Sequence, residues 1–570
     1  MTALELILLL LAASSGLRLL ADRWRVPYPS ALVVGGAVLA LIPGLPRAAL
    51  PPDILFLVFI PPLLYWAALS YPLRDARRLA GPIARLAVIL VLVSTAVVAV
   101  VVHRIDAAFT WASAFALGAI IAPPDPVAVV SMMRSLRLPQ DVQSVLEGEG
   151  LFNDVTALVT YRVAVAAAVT GAFNFGHAAL LFAIAAAAGV AVGLGVGWAA
   201  LRVQKLARNN SSVEMTVSLL TPFASYLAAE QLHASGVLAV VATGLYTARG
   251  FPRVVRPEAR VQSVAMWNVV TFLLESLVFI LVGLELPQVV RAFGTSSLAT
   301  LFTEAAAIAV VVAAVRVVWI AITVYPANAI ERRITRRRNP SPDFRTVAFV
   351  GWAGLRGGDS LVIALALPLT TAAGTAFPGR EQTIFITFVV IFASLVLQGP
   401  TLPYVARALR LRRGGSDEAE EAHARLVAVE AGLSALDGAA AKTGARQELV
   451  RYLRSRHLQR ARRWAAREHA AGQTQAPWLR HEHFVHAPSH AAGALDDTRA
   501  VEYRRLRSAM IQAELQAVLD LRDNGVIDDA VMRRVQRDLD FESLLLDTPE
   551  PVVEPPREVG SALPEHNEPP

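Results

Sequence analysis

Glu147-Gly-Glu-Gly-Leu-Phe-Asn-Asp154 runs straight into the apolar stretch Val155 to Val169, and together they are long enough to cross a bilayer. The run places three carboxylates at the mouth and middle of one apolar segment. A carboxylate at membrane depth is costly unless it has a partner, a water-filled cavity or an ion. Asp154, with Asn153 beside it, is therefore a functional-site candidate. On a helix Glu149 and Asn153 share a face, four residues apart, and Asp154 is turned about 100° from Asn153.

The surroundings make the membrane reading general. The chain has 570 residues, 55% of them hydrophobic and 17% charged, and its mean hydropathy is +0.48. Up to about residue 410 it is almost continuously apolar, and beyond that it reads as a soluble helical domain. The apolar windows recur too often for a globular core. The net charge of +7 does not point to nucleic acid, because most arginines sit in short loops between apolar segments. With no cysteine there is no disulfide or thiolate metal site, and no cofactor motif is present. The start, Met-Thr-Ala-Leu-Glu, lacks a basic signal-peptide region and reads as the first spanning helix.

About thirteen apolar segments can be drawn, at 2–20, 27–45, 52–70, 80–102, 108–134, 142–171, 177–203, 212–233, 235–249, 261–289, 298–328, 344–370 and 381–410. With the N-terminus outside, roughly twenty Lys and Arg fall in inner loops and about four (Arg47, Arg104, Arg291, Arg380) in outer ones. That bias puts the C-terminal part in the cytoplasm. The fold expected is an all-α polytopic membrane protein, with a transmembrane domain over 1–410, a cytoplasmic helical tail over 411–548 and a disordered Pro/Glu-rich end over 549–570.

Two segments carry breaks. The fifth holds Ala122-Pro-Pro-Asp-Pro126, and the twelfth holds Gly351-Trp-Ala-Gly-Leu-Arg-Gly-Gly-Asp359. Proline removes helical hydrogen bonds, and irregular backbone at this depth must be buried in protein or line a cavity. Each break is next to last in a run of six segments, the pattern of inverted repeats with broken crossing helices and a binding site between them. Segments three and ten share Leu-Val-Phe-Ile (57–60 and 277–280). Carboxylates, an amide and free carbonyls form an oxygen-only ligand set suited to a hard cation such as sodium. Arg162, Arg316 and Arg356 lie within apolar segments, but Asp125, Glu147, Glu149, Asp154, Glu275 and Asp359 outnumber them. Some carboxylates must then hold a cation or a proton.

The set Ile60-Pro-Pro-Leu-Leu64, Pro124-Asp-Pro-Val-Ala-Val129, Glu147 to Asp154, Arg316 and Gly354-Leu-Arg-Gly357 resembles the sodium/proton exchanger branch of the monovalent cation/proton antiporters, in its bacterial form with a cytoplasmic tail. The resemblance implies Asp154 as the shared cation and proton carboxylate, with Asn153 shaping the site and Asp125 and the Pro124 carbonyl contributing from the break. It implies a structural ion pair between Glu149 and Arg356, while Arg316, Arg162, Asp359 and Glu275, charged residues in apolar segments, read as supporting charges. Asn-Asp rather than Asp-Asp resembles the electroneutral branch, and a homodimer in the cell membrane is implied. The chain departs from the family in four places. Pro124 stands where Thr is common, Gly150 where Ser is, Tyr65-Trp66 where an acid follows Pro-Pro, and Asp359 at a usually apolar position. These changes leave sodium, potassium and lithium all open as cargo. Two other classes are open at this point: an ion or pH sensor acting through its tail, and a cation channel, which needs a continuous pore and no proton coupling. In the tail, His481, His483, His486 and His490 read as a solvated loop rather than a metal site.

Overall fold

The computed structural model describes residues 3–24, 26–42, 52–125, 128–129, 138–171, 175–207, 210–287, 298–335, 343–411, 416–470 and 497–547. The tail histidines 481–490 and the segment 549–570 lie outside them. The described residues are all-helical apart from one isolated bridge, Thr370 to Ala376.

Among the described residues each apolar segment contains a helix, and the twelfth contains two. In order they are α1 (Ala3–Trp24), α2 (Tyr28–Leu39), α3 (Pro52–Ser70), the short α4 (Leu73–Arg78), α5 (Ala80–Ile105), α6 (Trp111–Ile121) and α7 (Gln140–Thr170). There follow α8 (Phe175–Leu206), α9 (Ser211–Gln231), α10 (Gly236–Val254), α11 (Pro257–Leu284), α12 (Leu298–Thr335), α13 (Phe344–Trp352), α14 (Gly358–Leu365) and α15 (Arg380–Ala408). Six of these, α5, α7, α8, α11, α12 and α15, contain a window long and apolar enough to cross a membrane alone. Their outer faces carry bare aliphatic side chains, among them Leu180 and Ile184 on α8 and Val310, Val318 and Ile322 on α12. A surface of that kind suits lipid, not water.

Small residues let the helices cross closely. A Cβ on Gly36 would lie 2.2 Å from the Ile280 carbonyl oxygen, and one on Gly283 would lie 2.2 Å from that of Val33. The α2 and α11 backbones thus meet at a pair of glycines, the usual means of tight contact where hydrophobicity cannot drive association.

Both breaks fall where the sequence places them, and they meet. Helix α6 stops at Ile121 ahead of Pro123-Pro124, and α13 stops at Trp352 before α14 begins at Gly358. The Asp125 N–H donates to the Leu355 carbonyl (2.7 Å), Arg356 Nε to the Ile121 carbonyl (2.7 Å) and Ser360 Oγ to the Ile120 carbonyl (2.8 Å). Backbone groups freed by one break are satisfied by the other, as burial away from water requires. The Arg356 N–H donates to Ser394 Oγ (2.8 Å), within a π-helical turn of α15 at Ala393–Gln398.

The tail forms α16 (Ser416–Thr443), α17 (Gln447–Ala470), α18 (Asp497–Asp523) and α19 (Asp529–Asp547). Its core includes Ala424, Ala428, Ile511, Val518, Val531 and Val535. Glu514 is fully buried there. Burial alone would raise its pKa, but His457 (3.2 Å) and Arg507 (2.7 Å) hold it below the ordinary value. The tail rests on one end of the apolar helices. Arg260 of α11 makes a bidentate pair with Asp540 (Nε to Oδ2 2.9 Å), Arg253 pairs with Asp523, and the Arg74 N–H donates to Asp529 (3.3 Å). Gln140, at the start of α7, donates to Asp528.

Asp528 makes this seat pH-sensitive. Burial first, then the charges of Asp75, Asp529 and Glu420, push its carboxyl from 3.8 to about 6. Arg78 of α4 is the cation that faces it. Asp529 and Glu420 belong to the tail itself, but Asp75 faces Asp528 only in the docked state, so docking adds to the proton affinity and is favoured at acid pH. It weakens as pH rises toward about 6 and is level above that. Hydrogen exchange in α19, corrected for intrinsic rate, should slow between pH 7 and pH 5 in the wild type and lose that change in Asp528→Asn.

Candidate functional site

Where α3, the α6 break, α7 and α14 come together, they enclose a cavity of about 60 Å³. Three carboxylates line it: Asp154 from α7, Asp125 from the first break and Asp359 from the first turn of α14. Pro124, Gly150, Gly357 and Ser360 complete the polar part of the wall, and Ile60, Leu64 and Leu158 are among its apolar members. No ion pair or hydrogen bond reaches Asp154 or Asp359 among the described residues.

Local chemistry places Asp125 and Asn153. Asp125 follows two prolines that end α6, and its carboxyl lies against Gly357. A Cβ at Gly357 would fall 1.7 Å from Asp125 Oδ2, so only glycine permits the two breaks to cross here. Asn153, fully buried, donates from Nδ2 to the Pro124 carbonyl (2.7 Å), tying α7 to the first break. Its Oδ1 is buried with no hydrogen-bond partner among the described residues. Side-chain amides left half-satisfied at such depth are uncommon and mark sites where something else can bind.

The ion pair expected between Glu149 and Arg356 is not formed. Glu149 takes a bidentate pair from Arg316 of α12 instead, with Nη2 to Oε2 at 2.7 Å and Nη1 on Oε1. Both residues are buried, and Arg316 also donates to the Val350 carbonyl at the end of α13 (3.2 Å). The reason lies in the break: Arg356 sits within it, and the freed Ile121 and Gly354 carbonyls claim its guanidinium (2.7 and 2.8 Å). Arg316 comes from an unbroken helix and reaches past Gly354, where a Cβ would strike its Cδ at 2.2 Å.

The other charges lie away from the cavity. Arg162 pairs with Glu230 at 2.9 Å in a half-exposed position, and Glu275 accepts from the Tyr28 hydroxyl. Tyr65 and Trp66 turn toward Trp267, with Trp66 stacked on it at 5.7 Å, and neither lines the cavity. Ser360 and Ser394 escaped the sequence reading. Their signal was a lone hydroxyl inside an apolar run, too common to single out.

The crossing of the two broken helices thus sets Asp154 and Asp359, neither in an ion pair among the described residues, inside an apolar bundle. The family model described as "Sodium/hydrogen exchanger, transmembrane" matches residues 7–408. The chain belongs to that family. An uncharacterized Na+/H+ exchanger of Mycobacterium tuberculosis is 32% identical over 548 residues, covering 95% of this chain and 96% of its own. An alignment of that length extends past residue 408, so the likeness includes part of the tail. A sodium, potassium, lithium and rubidium/H+ antiporter of Bacillus pumilus is 32% identical over 394 residues, 67% of this chain and 58% of its own. The fold is that of the sodium proton antiporter of Methanocaldococcus jannaschii, with a TM-score of 0.54 at 18% identity over 71% of this chain and 98% of the other. Membership makes the chain a multi-pass membrane protein of the cation/proton antiport class.

Proposed function

We propose that the chain exchanges one monovalent cation for one proton, with the two competing for Asp154. The observation that carries this reading is the cavity at the crossing of the two breaks, where Asp154 and Asp359 lack any cationic partner among the described residues. Uncompensated carboxylates at this depth need a proton or a cation. Asp125 and the free Asn153 Oδ1 add oxygens, and an all-oxygen set favours hard monovalent or divalent ions over soft metals. Sodium, potassium and lithium all fit this chemistry, and the name of the Bacillus relative includes all three.

Replacing one proton by one cation on a single shared carboxylate leaves the site charge unchanged, so the exchange is electroneutral. The bundle that carries the crossing moves against the rest and exposes Asp154 to each side in turn. Glu149 and Arg316 hold the crossing rigid during that motion. The arginine-rich loops favour a cell-membrane orientation with the N-terminus outside and the tail in the cytoplasm, and a homodimer follows the family resemblance.

Everted vesicles with a preformed pH gradient test the reading. Adding sodium, potassium or lithium should dissipate the gradient, and clamping the membrane potential to zero should leave the initial rate unchanged. A cation flux with no proton movement would favour a channel. Absence of any cation effect across the pH range would favour a sensor.

A further inference from the structure

Between the tail and the adjoining ends of α3, α10 and α11 lies a second cavity, of about 1420 Å³, far larger than the one that holds Asp154. Its walls come from two layers. Trp66, Arg74 and Arg249 line it from the membrane helices, and Arg533, Arg537 and Phe541 line it from the tail.

The charge in this space is not balanced. Several of its arginines are neutralised: Arg260 by Asp540, Arg78 by Asp75 and Asp141, Arg522 by Asp523 and Arg534 by Glu421. Arg74, Arg249 and Arg537 form no ion pair among the described residues. Arg533 feels Glu147 only beyond ion-pair distance. The positive-inside bias accounts for Arg74 and Arg249, which flank apolar helices. It does not account for Arg533 and Arg537, which belong to a soluble helix. Both are exposed and stand one turn apart on α19, a mildly unfavourable like-charge spacing that Asp529, one turn before Arg533, offsets only in part.

Guanidinium groups that line one cavity from two layers, with Trp66 and Phe541 also in its wall, suit a planar or tetrahedral oxyanion bound bidentately. We propose that this cavity binds a phosphate-bearing anion between Arg74 and Arg249 on one wall and Arg533 and Arg537 on the other, so that the ligand fastens the tail to the membrane domain. A phospholipid headgroup and a soluble phosphate compound share this chemistry, and the test separates them.

The full chain is placed in nanodiscs of phosphatidylcholine alone, or of an equimolar mixture with phosphatidylglycerol. Hydrogen exchange of α19 is then followed with and without pyrophosphate at constant ionic strength. Slower exchange on adding pyrophosphate to phosphatidylcholine discs supports a soluble ligand. Slower exchange in the mixed discs without pyrophosphate supports a lipid. In either case Arg533→Gln/Arg537→Gln should weaken the effect by roughly tenfold in midpoint concentration or lipid fraction. Arg499→Gln/Arg505→Gln, which removes the same charge from α18 outside the cavity, should leave it intact. Should the first double variant fail to purify, Arg249→Gln on the opposite, exposed wall makes the same test. The proposal is overturned if neither anion slows exchange, if the effect survives loss of the cavity arginines, or if both double variants lose it equally.

Discussion

In everted vesicles, Asp154→Asn should reduce cation-dependent dissipation of a pH gradient to the level of vesicles without the protein. Asparagine keeps the shape and one oxygen of aspartate but holds neither a proton nor a full negative charge near neutral pH. A site built on competition for one carboxylate then has nothing to compete for. Asp359→Asn is the informative contrast, since Asp359 lines the same cavity and is equally without a cationic partner among the described residues. If Asp154 is the shared group, Asp359→Asn keeps the exchange and only raises the cation concentration needed for half-maximal rate, because one attracting charge is lost. Equal loss in both variants would move the proton to the pair. Loss in Asp359→Asn alone would move it off Asp154 altogether.

That contrast matters because the two residues were not equally legible. Asp154 could be picked out as a carboxylate in the middle of a spanning run, and Asp125 because prolines bracket it. Asp359 read only as a supporting charge, since no periodicity tells which face of a two-turn helix points at a cavity formed by three other helices. The breaks themselves were legible, because Pro and Gly clusters have one physical effect on a helix wherever they occur. Their mutual hydrogen bonds were not. Asp125 and Leu355 are joined across most of the membrane sequence, and nothing local to either records the other. The docking of the tail was hidden for the same reason: Arg260 looked like a topological charge until Asp540, 280 residues away, was seen to meet it.

The misassigned ion pair shows the limit most clearly, and it leads to the second large effect. Two lone arginines, Arg316 and Arg356, stood in adjacent apolar segments, and charge balance alone could not say which one Glu149 needed. The structure gives Glu149 to Arg316, with both buried. Removing one partner of such a pair leaves a bare charge in a low-dielectric interior, at a cost of about 3–5 kcal/mol. Arg316→Met and Glu149→Leu should therefore each sharply lower the thermal midpoint of the purified protein and its folded yield. Removing both charges relieves that penalty, and replacing a buried pair with apolar groups is often nearly neutral. Here recovery should stop short, because Arg316 also donates to the Val350 carbonyl, and an orphaned buried carbonyl costs about 1–3 kcal/mol. The double variant Glu149→Leu/Arg316→Met is thus expected between either single variant and the wild type in stability. Single variants as stable as the wild type would mean that water or a proton already compensates each charge. Transport in the double variant separates two roles for the pair. If it only pays for its own burial, exchange returns along with stability. If it fixes the end of α13 so that the second break stays aligned with Asp125, the protein folds and the exchange stays slow.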